Sequence, residues 1–297
     1  MKKFTPVGTF TALITPFNRK GEVDFKALRK LIDFQIENGV DGIVVCATTG
    51  ESATLSLKEK QAIIVESVEH TNGRVPVVAG TGTNETELSL NMTIFAMEHG
   101  ADACLLVAPY YNKPNQSGLY EHFRLIATNV DIPLILYNVP GRTGVNISAQ
   151  TQIRLAQDCP NIVATKEASG NLDQIMKIIQ NAPSTFSVLS GDDSLTLPII
   201  ALGGKGVVSV ISNYAPKKFS DMVRFALQNK IEKARTLHYE LLELMELNFI
   251  EPNPIPVKYA MSLVGFTKEV YRLPLLPLEN EAKKKIKEAL KRAKIIS

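Results

Sequence analysis

Short apolar runs alternate with longer amphipathic segments along most of the chain, an arrangement typical of repeated βα units. In segments such as residues 25–38 and 57–71, apolar side chains recur every three or four positions, which predicts helices. The apolar runs between them predict eight strands, at residues 9–14, 42–46, 75–79, 103–107, 134–137, 162–166, 186–189 and 206–210.

Eight parallel strands with intervening helices predict an α/β fold, a closed (β/α)8 TIM barrel, which typically needs about 250 residues. The alternative is an open doubly wound sheet, which would carry a glycine-rich turn after its first strand. That turn reads Thr15, Pro16, Phe17 and contains no glycine. After residue 215 the pattern is only helical, at residues 218–229, 231–247, 255–264 and 280–293. We therefore predict a barrel carrying the active site over residues 1–225 and a C-terminal helical segment over residues 226–297.

The composition argues against several kinds of partner. The chain has 297 residues, of which 45% are hydrophobic, and a net charge of +3, too small to indicate nucleic acid or an anionic membrane. No apolar run reaches the roughly 18 residues of a membrane span. Cys46, Cys104 and Cys159 show no paired spacing. We expect a cytoplasmic protein with buried thiols and without nucleic-acid or membrane partners.

The sixth apolar run, IVATKE at residues 162–167, contains one lysine near its end. Strand alternation places Ile162, Ala164 and Lys166 on one face and Glu167 on the outer face of the barrel. Taken alone, a lysine at a strand end is more often solvated. If its face lines a closed interior, burial favours the neutral amine, which is a nucleophile.

Two other strand ends carry groups able to transfer protons, and strand ends form the active site of a barrel. Tyr111 follows the fourth strand and Tyr137 ends the fifth. Two phenols near Lys166 would place three proton-transferring groups around one rim.

Several strand ends also carry groups suited to binding an anion. After the second strand, Thr48 and Thr49 suit a carboxylate, although capping of the next helix explains them equally well. Arg142, in a turn after the fifth strand, suits a bidentate grip on a carboxylate, against the alternative of simple solvation. Around Gly191 and Val208, neighbouring glycines allow backbone groups to approach a ligand.

Other chemistries lack their motifs. The four histidines form no HExxH pattern, and the chain has neither a phosphate-binding GKS or GKT nor a GxSxG turn. We predict no metal and no cofactor. A lysine nucleophile with hydroxyl acid and base groups remains, which indicates Schiff-base chemistry on a carbonyl compound.

Ordered motifs along nearly the whole chain resemble the dihydrodipicolinate synthase family, part of the pyruvate-dependent class I aldolases that include N-acetylneuraminate lyase. The motifs are GTFTALITPF from Gly8, ATTGESATL from Ala47, APYYNKP from Ala108, YNVPGRTG from Tyr137, TKEASGN from Thr165, SGDD from Ser190, GGKGVVSV from Gly203 and NPIPVK from Asn253. The resemblance implies a lyase in the diaminopimelate route to lysine. It would condense pyruvate with L-aspartate 4-semialdehyde to form 4-hydroxy-tetrahydrodipicolinate.

The resemblance also implies a role for each candidate residue. Lys166 forms the imine with pyruvate, and Tyr137 is the general acid and base. Thr48 and Tyr111 complete a proton relay, with Tyr111 reaching in from the partner subunit of a tight dimer within a homotetramer. The substrate-binding residues are Thr49 for the pyruvate carboxylate, Arg142 for the second substrate, and the main chain of Gly191 and Val208, which closes the pocket.

Two alternatives remain. One is an N-acetylneuraminate lyase-like aldolase acting on a longer 2-keto acid, against which the Thr48–Thr49 pair and Arg142 argue. The other is a keto-acid sensor without turnover, which would have no need of a proton relay.

We predict weak or absent feedback inhibition by lysine. Family members inhibited by lysine use a histidine and a glutamate at the dimer interface, where this chain has Leu57 and Leu88, although Asn84 and Tyr110 are kept. The acidic partner for the inhibitor's ammonium is therefore missing. Initial rates measured over a lysine titration check this, and half-inhibition at sub-millimolar lysine would contradict it.

Overall fold

The computed structural model describes residues 4–296, in which eight parallel strands close into a barrel in sequence order. Each strand pairs with the next, and the last pairs with the first through Gly8 opposite Gly206. The strands are β1 (Gly8–Ala12), β2 (Gly42–Val45), β3 (Val77–Gly80), β4 (Ala103–Val107), β5 (Leu134–Asn138), β6 (Ile162–Glu167), β7 (Ser187–Ser190) and β8 (Gly206–Ser209). The predicted (β/α)8 barrel is confirmed.

Helices surround the barrel and continue beyond it. Those before or directly after the last strand are α1 (Phe25–Glu37), α2 (Leu57–Thr71), α3 (Thr86–Glu98), α4 (Gln116–Thr128), α5 (Pro140–Thr143), α6 (Ala149–Asp158), α7 (Leu172–Asn181), α8 (Thr196–Ala201) and α9 (Pro216–Leu227). The C-terminal extension consists of α10 (Ile231–Leu247), α11 (Ile255–Leu263) and α12 (Asn280–Arg292). The division of the chain at residue 225 stays a prediction.

Polar side chains begin the helices that follow the strands. Ser56 and Glu59 form a reciprocal capping box at α2, and Asn115, Ser148 and Asn171 cap α4, α6 and α7. Each cap satisfies backbone N–H groups that the first turn leaves without partners. The loops at the carboxyl ends of the strands are therefore anchored where they enter their helices.

The apolar core has two layers. A smaller cluster fills the barrel interior, and a larger one lies between the strands and the surrounding helices. The interior cluster consists of Phe10, Ala12, Val44, Ala47, Val78, Ala103, Leu105, Ile135, Tyr137, Val139, Ala164, Leu189 and Val208. At the seam between β8 and β1, a Cβ on Gly206 would overlap the carbonyl oxygen of Gly8, so a side chain has no room there.

One predicted strand face is wrong at its first residue. Leu134 pairs with Ile162 and Ile135 with Ala164, so the register between β5 and β6 shifts across Val163. Ile162 belongs to the outer cluster, whereas Ala164 belongs to the interior cluster. A bulge adds one residue and reverses the alternation on its far side. The predicted phase holds from Ala164 onward.

Within residues 4–296, no helix is long and apolar enough to cross a membrane. Over the same range, no group of three or more histidine, cysteine, aspartate or glutamate side chains could hold a metal ion. Cys46, Cys104 and Cys159 are buried and free.

Candidate active site

A cavity of about 330 Å³ opens at the carboxyl ends of β2 to β5. Part of its wall comes from the loops after these strands, and part comes from the C-terminal extension. Its lining includes Ala47, Thr48, Glu51, Gly80, Gly82, Leu105, Val107, Tyr110, Tyr137, Val139, Arg142, Thr143, Asn253, Pro254, Pro274 and Leu275. The size and the mainly uncharged wall suit small organic molecules.

Lys166 and Tyr137 face each other across neighbouring strands inside the barrel. They are paired in the register of β5 and β6, and the Lys166 Nζ lies 4.0 Å from the centre of the Tyr137 ring. Lys166 is only 4% exposed. Tyr137 lines the cavity, whereas Lys166 is not among its lining residues. The amine is therefore buried inside the barrel, next to a phenol on the cavity wall.

The turn after β2 brings Thr48 to the cavity wall and buries Thr49. Hydrogen bonds from Gly50 N to Ala47 O and from Glu51 N to Thr48 O close this turn. The cap of α2 is Ser56, so Thr48 and Thr49 are not its capping residues. The Thr49 hydroxyl accepts a hydrogen bond from Asn253 Nδ2 at 3.0 Å.

Arg142 lies near the end of the short helix α5 and lines the cavity. Its side chain is exposed, and its Nη2 donates to the carbonyl oxygen of Asn253 at 3.4 Å. Asn253, which also donates to Thr49, therefore connects Arg142 to the turn after β2. A guanidinium has five N–H donors, and only this hydrogen bond of the Arg142 guanidinium is formed among residues 4–296.

Gly191 and Val208 are brought toward the same end of the barrel through the strands. Gly191 N donates to the carbonyl oxygen of Glu167 at 2.6 Å, and a Cβ on Gly191 would collide with Ala168. Val208 is buried in the interior cluster opposite Phe10. Neither residue belongs to the cavity wall. The Gly191 backbone is bonded to Glu167, the residue after Lys166.

Two carboxyl groups follow β7, of which Asp193 is buried and Asp192 is half-buried. Burial raises the pKa of Asp192, which the nearby Lys166 charge opposes. Burial also raises the pKa of Asp193 to about 6, although its carboxylate accepts hydrogen bonds from Val210 N and Ile211 N. Asp193 therefore joins the loop after β7 to the turn after β8.

Tyr111 lies outside the cavity of its own chain. It is 90% exposed with a left-handed φ of 71°, whereas its neighbour Tyr110 lines the cavity. Leu57 and Leu88 are also exposed. Of the sequence-predicted residues, Thr48, Tyr137 and Arg142 line the cavity and Tyr111 lies on the surface. Four others are not among the lining residues: Lys166, Thr49, Gly191 and Val208.

The sequence interpretation missed the contribution of the C-terminal extension to the site. Glu51, two residues after Thr49, forms a fully buried ion pair with Lys258 of α11. Burial lowers the pKa of Lys258, which the Glu51 charge opposes. The Lys258 Nζ also lies 4.1 Å from the centre of the Phe17 ring. The available signal was the NPIPVK motif, which contains both Asn253 and Lys258.

Glu167 points away from the cavity, as strand alternation predicted. Its carboxylate accepts hydrogen bonds from Gln152 of α6 and Gln174 of α7, which lie outside the barrel. It also accepts one from Asn138 at the end of β5. The strand phase at the catalytic end of β6 is therefore confirmed.

A buried lysine on a barrel strand, beside a tyrosine that lines a cavity at the strand ends, is the arrangement expected of a lyase of the Schiff-base-forming class I aldolase type. The chain belongs to the dihydrodipicolinate synthetase family, whose model matches residues 5–293.

Individual relatives agree with this family over nearly their full length. A 4-hydroxy-tetrahydrodipicolinate synthase of Hydrogenobaculum sp. (strain Y04AAS1) is 52% identical over 97% of this chain and 99% of its own. The crystal structure of the Acinetobacter baumannii dihydrodipicolinate synthase complexed with pyruvate has a TM-score of 0.96 at 43% identity, covering 98% of this chain and 99% of that one. The enzyme from Cyanidioschyzon merolae, with lysine bound, has a TM-score of 0.95 at 42% identity, covering 98% and 99%.

We predict that Lys258→Met lowers the free energy of unfolding by about 3–5 kcal/mol, because it leaves the Glu51 carboxylate buried without its partner. Adding Glu51→Gln should recover part of the loss, since neither charge is then buried. Urea denaturation followed by circular dichroism measures both effects. Arg235→Ala, which breaks an exposed pair with Glu232, is the control and should change stability by less than about 1 kcal/mol. A loss in Lys258→Met no larger than in this control would contradict the prediction.

Proposed function

We propose that this protein is a 4-hydroxy-tetrahydrodipicolinate synthase, which condenses pyruvate with L-aspartate 4-semialdehyde through a Schiff base on Lys166. The observation that carries the proposal is the buried Lys166 amine, 4.0 Å from the centre of the ring of Tyr137, which lines the cavity. Family membership and the names of the relatives support the choice of reaction.

Imine formation begins when the neutral Lys166 amine attacks the keto carbon of pyruvate. A proton must reach the departing oxygen so that water can leave, and another must leave the pyruvate methyl group so that the imine becomes an enamine. Tyr137, next to Lys166, is placed for these transfers. Thr48, on the same cavity wall, connects Tyr137 to the remainder of the proposed relay, which Tyr111 completes.

The two carboxylates of the substrates are bound at different parts of the wall. Thr49, buried directly after the wall residue Thr48, is the proposed site for the pyruvate carboxylate, together with the backbone near Thr48. The main chain of Gly191 and Val208, which does not line the cavity itself, is proposed to close the pocket on the side of Lys166. Arg142 binds the carboxylate of L-aspartate 4-semialdehyde through its planar guanidinium. The pyruvate complex of the Acinetobacter baumannii enzyme is consistent with pyruvate as the first substrate.

Carbon–carbon bond formation follows when the enamine carbon attacks the aldehyde carbon of the second substrate. The aldehyde oxygen gains a proton and becomes the hydroxyl of the product. The amino group of the second substrate then attacks the imine carbon, which closes the ring and displaces the Lys166 amine. The cycle releases one water, and the steps proposed above use neither a metal ion nor a nucleotide.

The proposed assembly is a homotetramer of two tight dimers working in the cytoplasm. Tyr111 is largely exposed in the single chain and lies outside that chain's own cavity, which fits a phenol delivered to a partner's site. Leu57 and Leu88 add exposed apolar surface.

Borohydride reduction in the presence of pyruvate tests the proposed function. We expect a covalent pyruvate adduct on the peptide containing Lys166, detected by mass spectrometry, and no adduct in Lys166→Arg because its guanidinium is not a nucleophile. Incubation without pyruvate is the control. An unmodified Lys166 peptide after complete reduction would reject the Schiff base. Turnover with a longer 2-keto acid but not with L-aspartate 4-semialdehyde would instead indicate an aldolase of another specificity.

Tyr111→Phe tests whether the exposed phenol acts in the relay. We expect kcat to fall about 10- to 100-fold, because removal of one proton-transfer group typically costs at least this much. Tyr239→Phe, which alters another largely exposed tyrosine, is the matched control and should keep full activity. Full activity of Tyr111→Phe would remove that residue from the relay.

A further inference from the structure

We propose that Glu167 and Asn138 are positioning residues that hold Lys166 and Tyr137 at their reactive separation. This inference rests on the proposed function, because it assigns a role to side chains behind the proposed catalytic pair. Neither residue touches the cavity wall. Both act through the strands that carry the reacting groups.

The carboxyl group of Glu167 is buried among neutral donors. The residue is only 1% exposed. The Oε1 atom accepts hydrogen bonds from Asn138 Nδ2 at 2.8 Å, Gln152 Nε2 at 2.6 Å and Gln174 Nε2 at 3.0 Å. The Oε2 atom accepts one from Ser169 Oγ at 2.6 Å.

Three elements therefore converge on one carboxylate. The donors come from β5, from α6 and α7 on the outside of the barrel, and from the loop after β6. Among residues 4–296, no lysine or arginine forms an ion pair with Glu167. A buried carboxylate without a cation is stable only when its acceptor sites are filled. Here four neutral donors fill them.

The strand register places this contact directly behind the reacting pair. Tyr137 is opposite Lys166 and Asn138 is opposite Glu167. Successive side chains point to opposite faces, so the first pair faces the interior and the second pair faces the helices. The hydrogen bond between Asn138 and Glu167 is thus one residue along from the catalytic pair, on the other side of the same two strands.

The backbone of Glu167 extends the same connection to the next strand. Its carbonyl oxygen accepts the hydrogen bond from Gly191 N, while Ala168 N donates to the carbonyl oxygen of Asn138. Glu167 therefore joins the ends of β5, β6 and β7. These are the ends that carry Tyr137, Lys166 and Gly191.

The bulge in β6 lies close to the reacting groups. The register between β5 and β6 shifts at Val163, three residues before Lys166. A bulge interrupts the ladder and bends the strand locally, and regular pairing resumes from Ala164 to Glu167. The Asn138–Glu167 hydrogen bond adds a side-chain contact at the far end of this realigned stretch.

Asn138→Ala is the first test, because it removes the cross-strand donor and leaves Gln152, Gln174 and Ser169 on the carboxylate. It also removes the hydrogen bonds of the Asn138 amide with Asn146 Oδ1 and Ile147 N. The measurement is the rate of borohydride-trapped adduct formation on Lys166, together with kcat and the KM for pyruvate. We expect the trapping rate and kcat to fall about 10- to 100-fold with little change in KM, because small misplacements of reacting groups cost rates of this order. Rates are taken below the melting temperature of each variant.

Gln174→Ala is the matched control, since it removes a donor to the same carboxylate from the helix side. Its trapping rate should stay within about threefold of wild type, because it leaves the contact between the two strands intact. Glu167→Gln, which keeps an oxygen acceptor, should likewise retain most of the rate. A purely structural role would lower the melting temperature of all these variants without the selective fall in trapping rate.

Other outcomes separate this inference from the proposed function. Absence of an adduct in wild-type protein would reject the proposed function itself. A wild-type adduct that forms equally fast in Asn138→Ala would overturn the positioning role and leave the proposed function standing. If Asn138→Ala does not fold, Asn138→Leu, which restores the lost volume, is measured in its place. Failure of both to fold while Gln174→Ala folds would make Asn138 a folding residue and overturn the inference.

Discussion

Closing an eight-stranded parallel sheet removes its edges and turns alternate side chains of every strand into one interior. In this protein the seam is the pairing of β8 with β1, where Gly206 leaves no space for a side chain against Gly8. Closure brings the carboxyl ends of all the strands to one rim. Residues as far apart in sequence as Thr48 and Tyr137 thereby share a single cavity wall.

The C-terminal extension completes that rim by making polar contacts with a buried turn. Asn253 donates to Thr49, and Lys258 pairs with Glu51 where water is excluded. Such a pair contributes less to net stability than its charges suggest, since both ions lose their hydration. The ion pair instead restricts the relative positions of Glu51 and Lys258, because neither side chain can move without leaving the other unpaired. The turn that presents Thr48 is therefore coupled to α11.

In the β5–β6 pair, the proposed reacting side chains and the side chains proposed to align them lie on opposite faces of the sheet. Inside the barrel, Tyr137 lines the cavity and faces Lys166, while outside it Asn138 and Glu167 are joined by a hydrogen bond. The inward residues Tyr137 and Lys166 are the proposed reacting groups. The next residue along each strand, Asn138 or Glu167, points outward and is proposed to align the two strands. The Glu167 carboxylate is adjacent in sequence to Lys166 but lies on the opposite face of the strand, so it does not line the cavity.

The sequence by itself determined the eight βα units, the barrel and the family. Hydrophobic period and strand-end motifs are local properties, and they identified Lys166, Tyr137, Thr48 and Arg142 as candidates. Only the tertiary structure decided the bulge at Val163, the burial of Glu51 against Lys258, and the exposure of Tyr111 outside its own cavity. The physical reason is that register, ion-pair burial and surface exposure depend on packing between distant segments. No sequence pattern indicates that Glu51 and Lys258 are neighbours, yet folding of the closed barrel brings them into contact.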